Sequence, residues 1–172
     1  PATALDHVAD LNRRDVGGIL NLLGEHYDER PPADEDTEAY LALVDDIAAG
    51  NVDACVSVKP SQIGIDVGPD AFAENLERIV TRAREGDVFV WVDMEDHTTT
   101  DTTLDAVCEC AEAYPDGVGV AIQANLKRTR EDLRRLADVP AAVRLVKGAY
   151  DEPAEVAHTD KADVNEAYRE HL

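Results

Sequence analysis

Apolar positions along the chain change their spacing near residue 52. Before that point they recur every three or four residues, at Leu5, Val8 and Leu11, at Ile19, Leu20 and Leu23, and at Tyr40, Leu41, Val44, Ile47 and Ala48. That spacing collects them on one side of a helix, so residues 1–50 read as an N-terminal helical segment. Gly24 closes its first part, the Arg-Pro-Pro-Ala-Asp-Glu-Asp run at 30–36 reads as a loop, and Asp36 or Thr37 caps the next helix. Further on, short apolar runs rich in β-branched residues alternate with helical stripes. The runs 54–59, 88–94, 118–123 and 142–147 read as strands. Between them lie the stripes Phe72-Leu76-Ile79-Val80-Ala83, Leu104-Val107-Cys108-Ala111-Tyr114 and Leu133-Leu136, the last after a capping-box-like start at Thr129. Residues 153–172 read as one more helix. The strands recur about every 25–33 residues, the spacing of successive βα units.

Apolar strands separated by helices form a parallel sheet. An open doubly wound sheet and a (β/α) barrel both fit. No Gly-x-Gly-x-x-Gly follows the first strand, which disfavours a dinucleotide-binding fold. Each strand ends on a polar residue able to do chemistry: Lys59, Asp93, Gln123, and Arg144 with Lys147. Barrel enzymes build their sites in that way. The expected fold is therefore α/β, a (β/α)8-type barrel cut off after about four βα units. Residues 51–172 would form this partial barrel, with the site at the carboxyl ends of its strands. A closed barrel takes about 250 residues, and the chain has 172. Two sheet edges would then need to be covered or paired.

Charge narrows the partners. With 16 Lys and Arg against 37 Asp and Glu, the net charge is −21. That argues against nucleic acid and anionic membrane surfaces. An acidic chain with only four lysines (59, 127, 147 and 161) and one Met fits a halophile's protein, kept soluble in salt by solvated carboxylates. Two of those four lysines stand at strand ends, which marks Lys59 and Lys147 for a role. The three cysteines, 55, 108 and 110, give no disulfide framework, and the last two read as small apolar fillers of a helix. No run is long enough to span a membrane, and no secretory signal is recognised. We expect a reducing, cytoplasmic setting.

The densest chemistry lies at 144–153. Arg144 and Val146 share one face of their strand. A guanidinium on a buried strand needs a partner, and Gly148 lets a backbone or a ligand approach closely. Asp93 can orient a ligand or pair with Lys59 or Arg144. Glu95 and Asp96 read as a solvated acidic loop. Asp93, Glu95 and His97 alternate and could gather round a metal, but no further His or Cys stands at ligand spacing, so none is expected. His7, His26, His158 and His171 show no partner in the sequence. Arg78, Arg82 and Arg84 read as a solvated helix face, and Lys127, Arg128 and Arg130 as a helix-start cluster with phosphate binding as the alternative. The set Lys59, Asp93, Gln123, Arg144, Lys147 supports two chemistries. One is an aldolase-like Schiff base on a lysine such as Lys147. The other is a flavin site, where Arg and Gln hydrogen-bond the ring and cations hold a substrate carboxylate.

The segments Ser57-Val58-Lys59, Val92-Asp93-Met94-Glu95, Ile122-Gln123-Ala124, Arg128-Thr129 and Arg144-Leu-Val-Lys-Gly-Ala-Tyr150 resemble, in order and spacing, the single-function proline dehydrogenases. The resemblance runs from about residue 40 to 168 and is specific in combination. It implies a distorted barrel carrying FAD at the strand ends. It also implies oxidation of L-proline to Δ1-pyrroline-5-carboxylate, hydride transfer to flavin N5, and electrons passed to a membrane quinone, with peripheral attachment to the inner face of the membrane. By resemblance Lys59 contacts the proline carboxylate and Asp93 is catalytic. Met94 and Gln123 contact the flavin, and Arg144 lies near N5, where a cationic donor stabilises reduced flavin. Lys147, Gly148 and Ala149 contact FAD. Two departures stand out. Asn125 occupies a position where the family often has Tyr. The later strands, and a helix whose Arg-Arg pair grips the proline carboxylate, do not appear before Leu172. Lost charge-assisted bonds cost about 1.5–3 kcal/mol each, so this chain alone is expected to be a poor enzyme. It reads as the N-terminal part of a proline dehydrogenase, with a remnant without activity, or a split barrel completed by a complementing C-terminal half or a homo-oligomer, as the alternative.

Overall fold

The computed structural model describes residues 2–172. Five parallel strands form one sheet in the order β1 (Gly18–Leu20), β2 (Ala54–Val58), β3 (Val90–Val92), β4 (Val118–Gln123) and β5 (Ala142–Val146). The helices are α1 (Ala2–Asn12), α2 (Arg30–Gly50), α3 (Pro69–Glu85), α4 (Thr100–Ala113), α5 (Thr129–Leu136) and α6 (Lys161–Glu170). Strand neighbours in sequence are neighbours in space, each joined by a helix, which is the winding of a (β/α) barrel wall.

Alternation along the strands decides which side is core. Val56, Val58, Val90, Val92, Val118, Val120 and Ile122 are at most 2 % exposed and pack against the helices with Phe72, Leu76, Ile79, Leu104 and Val107. The intervening residues face the opposite side. In register these are Ser57 opposite Trp91, Trp91 opposite Gly119, Gly119 opposite Ala142, and Ala121 opposite Arg144. This second face would be the inside of a barrel. Near the amino ends of the strands it carries a cleft of about 540 Å³ bordered by Ile19, Cys55, Phe89, Trp91 and Ala142.

Three sequence expectations are corrected. Residues 1–50 are not all helical, because β1 adds a fifth strand where Ile19 and Leu20 suggested a helix. The Gly17-Gly18 pair breaks the helical run. Gly18 also lets α1 lie close, since a Cβ there would sit 2.9 Å from the Val8 side chain. Second, Arg30–Asp36 is not a loop. It is the start of α2, with its prolines in the first turn, where no amide hydrogen is needed. Third, the last helix begins at Lys161, capped by Asp160, whose carboxylate accepts from Ala162 N at 2.7 Å. The chain from 153 to 160 instead forms turns and a bridge between Leu126 and Ala157. Among the described residues no helix is long and apolar enough to cross a membrane.

Candidate active site

Two small residues on β4 shape the inner face. Gly119 leaves room for the Trp91 ring, which an added Cβ would meet at 2.7 Å. One layer higher, Ala121 stands between Asp93, just past β3, and Arg144 on β5. The Arg144 side chain passes over it and donates to Asp93 Oδ1 at 2.5 Å. Its guanidinium lies 5.1 Å from the Trp91 ring centre, a cation–π distance. Ser57 Oγ donates to the same Asp93 oxygen at 2.9 Å. Asp93 is thus held from β2 and β5 at once.

The loops above the strands are fastened to this layer. Lys59 Nζ donates to Glu25 at 2.6 Å, bridging the end of β2 to the segment after β1. That bond holds the Glu25 carboxyl below its usual range and raises the Lys59 ammonium above its own. Glu95 is 3 % exposed and accepts from Ser61 N at 2.6 Å and Ser61 Oγ at 2.7 Å. Gln123 Nε2 donates to the Glu95 carbonyl at 2.6 Å. Tyr40, fully buried, donates to Ser57 O at 2.9 Å and accepts from Leu22 N at 3.2 Å. Burial pushes its hydroxyl up to about 12.

After β5 the chain turns at Gly148, whose φ of 104° lies in the region that favours glycine. Lys147 points to α6, where it donates to Asn165 Oδ1 at 2.7 Å and lies 5.8 Å from the Tyr168 ring centre. Ala149 is exposed. Glu152, 6 % exposed, accepts from His97 N at 2.8 Å and pairs with the His97 ring, tying this turn to the loop after β3.

The structure therefore brings together Lys59, Asp93, Gln123 and Arg144, with Gly148 beside them at the same end of the sheet. It places Met94 in the apolar core, 7 % exposed. Lys147 is engaged by Asn165 and the Tyr168 ring rather than by the Arg144–Asp93 pair, and the Schiff-base reading finds no support. Asp93, Glu95 and His97 pair with three different residues, Arg144, Ser61 and Glu152. Arg128 pairs with Asp132 and Asp101, Arg130 with Glu170, and Lys127 donates to Ala154 O, which leaves the phosphate alternative at that helix start without a free cation. Thr129 is not a cap. Its hydroxyl donates to Gln123 O at 2.6 Å and so pins the end of β4. Sequence reasoning missed Glu95 as a buried anchor, missed Glu25, and read Tyr40 and Trp91 only as apolar positions of a helix and a strand. Only Trp91 left a usable sign, a single tryptophan two positions before Asp93.

The parallel sheet winds as the wall of an α/β barrel, with an arginine–aspartate pair and a lysine–glutamate pair at its strand ends. The comparisons narrow this class. The chain belongs to the proline dehydrogenase family, whose model matches residues 4–167. It is 36 % identical over 171 residues to a proline dehydrogenase of Deinococcus radiodurans, covering 97 % of this chain and 55 % of that protein. It is 33 % identical over 159 residues to proline dehydrogenase 1 of Bacillus subtilis, covering 92 % and 52 %. The chain thus spans about half the length of the curated relatives it matches. In structure it resembles proline utilization A from Bdellovibrio bacteriovorus inactivated by N-propargylglycine, with a TM-score of 0.85 at 23 % identity, over 98 % of this chain and 22 % of that one. Proline utilization A from Bradyrhizobium japonicum superposes with a TM-score of 0.73 at 24 % identity, over 89 % and 19 %. These likenesses show the fold.

Proposed function

We propose that this protein oxidises L-proline to Δ1-pyrroline-5-carboxylate at the carboxyl ends of β2 to β5, with FAD as cofactor and a quinone as onward acceptor. The observation that carries the reading is the layer Lys59, Asp93, Arg144. One cation holds a carboxylate, and a second is aimed by an aspartate across the mouth of the sheet. Family membership supplies the reaction class.

The residues present fit a flavin. Beyond the N–H groups given to Asp93 and to the Glu95 carbonyl, Arg144 and Gln123 carry further N–H donors on one face that a flavin ring could take. Gln123, Arg144, Lys147, Gly148, Ala149 and the Met94 backbone would hold the cofactor. Bound FAD supplies the ring that accepts a hydride from the substrate carbon next to nitrogen, while the nitrogen loses its proton. The chain's own residues do the rest. Lys59 takes the substrate carboxylate in the place where it now holds Glu25. Asp93, fixed by Ser57, keeps the Arg144 guanidinium oriented. That guanidinium stabilises negative charge in the site, a role for which a preorganised donor costs no rearrangement during reaction. The site belongs to residues 51–172, and residues 1–50 contribute Glu25 to it.

The test is anaerobic addition of L-proline to the purified protein reconstituted with FAD. The reading expects the oxidised flavin band to bleach with L-proline and to persist with D-proline. A flavin that stays oxidised under excess L-proline contradicts it.

A further inference from the structure

Arg144 is the one charged residue inside any of the five strands. Its guanidinium has two neighbours of opposite character. Asp93 takes one edge, with Nη2 donating at 2.5 Å. The other neighbour is the Trp91 ring, whose centre lies 5.1 Å from the guanidinium carbon. Trp91 is the only tryptophan of the chain, and the fold makes room for it. Gly119 leaves the space, since a Cβ there would come within 2.7 Å of the indole. Phe89 packs against it at a tilt, with ring centres 5.0 Å apart and planes 59° apart. In register Trp91 lies in the layer of Gly119 and Ala142, one below Ala121 and Arg144. The cleft of about 540 Å³ in that lower layer is bordered by Trp91 and Phe89 and not by Arg144. The indole thus stands between the cleft and the guanidinium.

We propose that Trp91 is a positioning residue for the proposed reaction, its ring holding the Arg144 guanidinium up at the strand ends without neutralising it. The inference rests on the flavin reading above, in which Arg144 stabilises negative charge. Trp91 acts only through Arg144. A carboxylate below the guanidinium would also hold it, but it would cancel the charge that the site needs. Asp93 already takes one unit. An aromatic face attracts a guanidinium through its quadrupole and carries no net charge. The ring also keeps the water of the cleft from the lower side of the cation, where water would screen it. Without the ring a long arginine side chain is free to fold down into the cleft, and holding it at the mouth then costs rotamer entropy.

The experiment uses the full chain and its Trp91→Leu and Trp91→Phe variants, reconstituted with FAD. Trp91→Leu is expected to slow flavin reduction at saturating L-proline by about tenfold, with the proline concentration for half-maximal rate unchanged. It is also expected to lower the flavin midpoint potential by about 30 mV, which is a tenfold loss of preference for reduced flavin in a two-electron couple. Trp91→Phe keeps an aromatic face and is expected to recover most of both losses. A second readout needs no ligand and no stable Leu variant. With one tryptophan, the fluorescence of the ligand-free protein belongs to this ring, and Arg144→Met is expected to shift its emission. Three results overturn the proposal. One is a parental rate and potential in Trp91→Leu. Another is equal loss in the Leu and Phe variants, which makes the ring a packing element only. The third is unchanged emission in Arg144→Met, which shows that ring and cation do not meet. A parent that binds no FAD, or whose bound flavin L-proline leaves oxidised, removes the flavin reading itself, and the emission then decides the Arg144–Trp91 contact alone.

Discussion

Arg144 reaches Asp93 across the full width of β4, and it can do so because the residue beneath it is Ala121. The two partners are 51 positions apart in sequence. They meet only because the sheet places one strand between them and that strand offers a methyl group at the crossing. Below them Gly119 does the same for Trp91. The inner face is thus shaped by what β4 lacks, and Arg144 lies over Trp91 and against Asp93 in the space left there.

Replacing Ala121 by Leu should open the pair. The added carbons sit where the guanidinium crosses, and overpacking of this kind typically costs about 1–3 kcal/mol. Denaturant unfolding should show that loss, and proline-dependent flavin reduction should fall with it. A variant with parental stability and turnover would show that the crossing does not matter.

Arg144→Met should lower the rate of flavin reduction by proline by roughly 100-fold, the scale of one lost preorganised donor. Arg144→Lys should recover only part of this, because an ammonium keeps the charge and loses the planar fork that spans Asp93 and the Trp91 ring. Anaerobic stopped-flow spectroscopy separates these outcomes. Full recovery by Lys would reduce Arg144 to a bare positive charge.

On the proposed reading, a substrate carboxylate competes with Glu25 for Lys59. Glu25→Gln should therefore lower KM for proline by roughly two- to fivefold, the scale of an exposed ion pair, with kcat little changed. The pH window follows from the two shifts. Glu25 titrates below its ordinary 4.5 in the fold, so its share of the contact is present above that value and lost as pH falls through the lowered one. Lys59 titrates above its ordinary 10.5, so its share is present below that value and lost as pH rises through the raised one. The KM ratio of parent to variant should be flat from about pH 5 to about pH 10. A ratio that changes steeply near neutrality would place another titrating group at Lys59.

Tyr40 supports the site from behind by holding the Ser57 carbonyl. Its hydroxyl is pushed from 10.0 up to about 12, because burial disfavours the phenolate. The folded state therefore keeps a proton that the unfolded state releases. Stability should fall as pH rises from 10 to about 12, by about 1.4 kcal/mol per unit. Tyr40→Phe should lose about 1–3 kcal/mol at neutral pH, from Leu22 N and Ser57 O left unpaired, and should show less of the alkaline slope. An unchanged slope would assign it to other groups.

Much of this was legible in the sequence, and the rest was hidden for physical reasons. Four strands announced themselves as apolar runs, and each ended on a polar residue that the structure places at one end of the sheet. The Arg144–Asp93 pair was open to inference, since a guanidinium on a half-buried strand needs a partner. β1 was not, because three residues with an exposed Ile19 carry no strand pattern of their own and depend on pairing with β2. Glu95 looked like part of a solvated acidic run. Its burial depends on the N–H and hydroxyl of Ser61, 34 positions earlier, which no local pattern reveals. The prolines of α2 read as a loop because Pro at a helix start and Pro in a turn look alike until the chain after them is placed.

The most direct measurement is a crystal structure of the protein with FAD and a non-reactive proline analogue. The account predicts the flavin ring over the carboxyl ends of β3 to β5 within reach of Arg144 and Gln123, and the analogue's carboxylate on Lys59 in place of Glu25. A ring bound elsewhere, or a carboxylate held away from Lys59 while Glu25 stays in place, would contradict it.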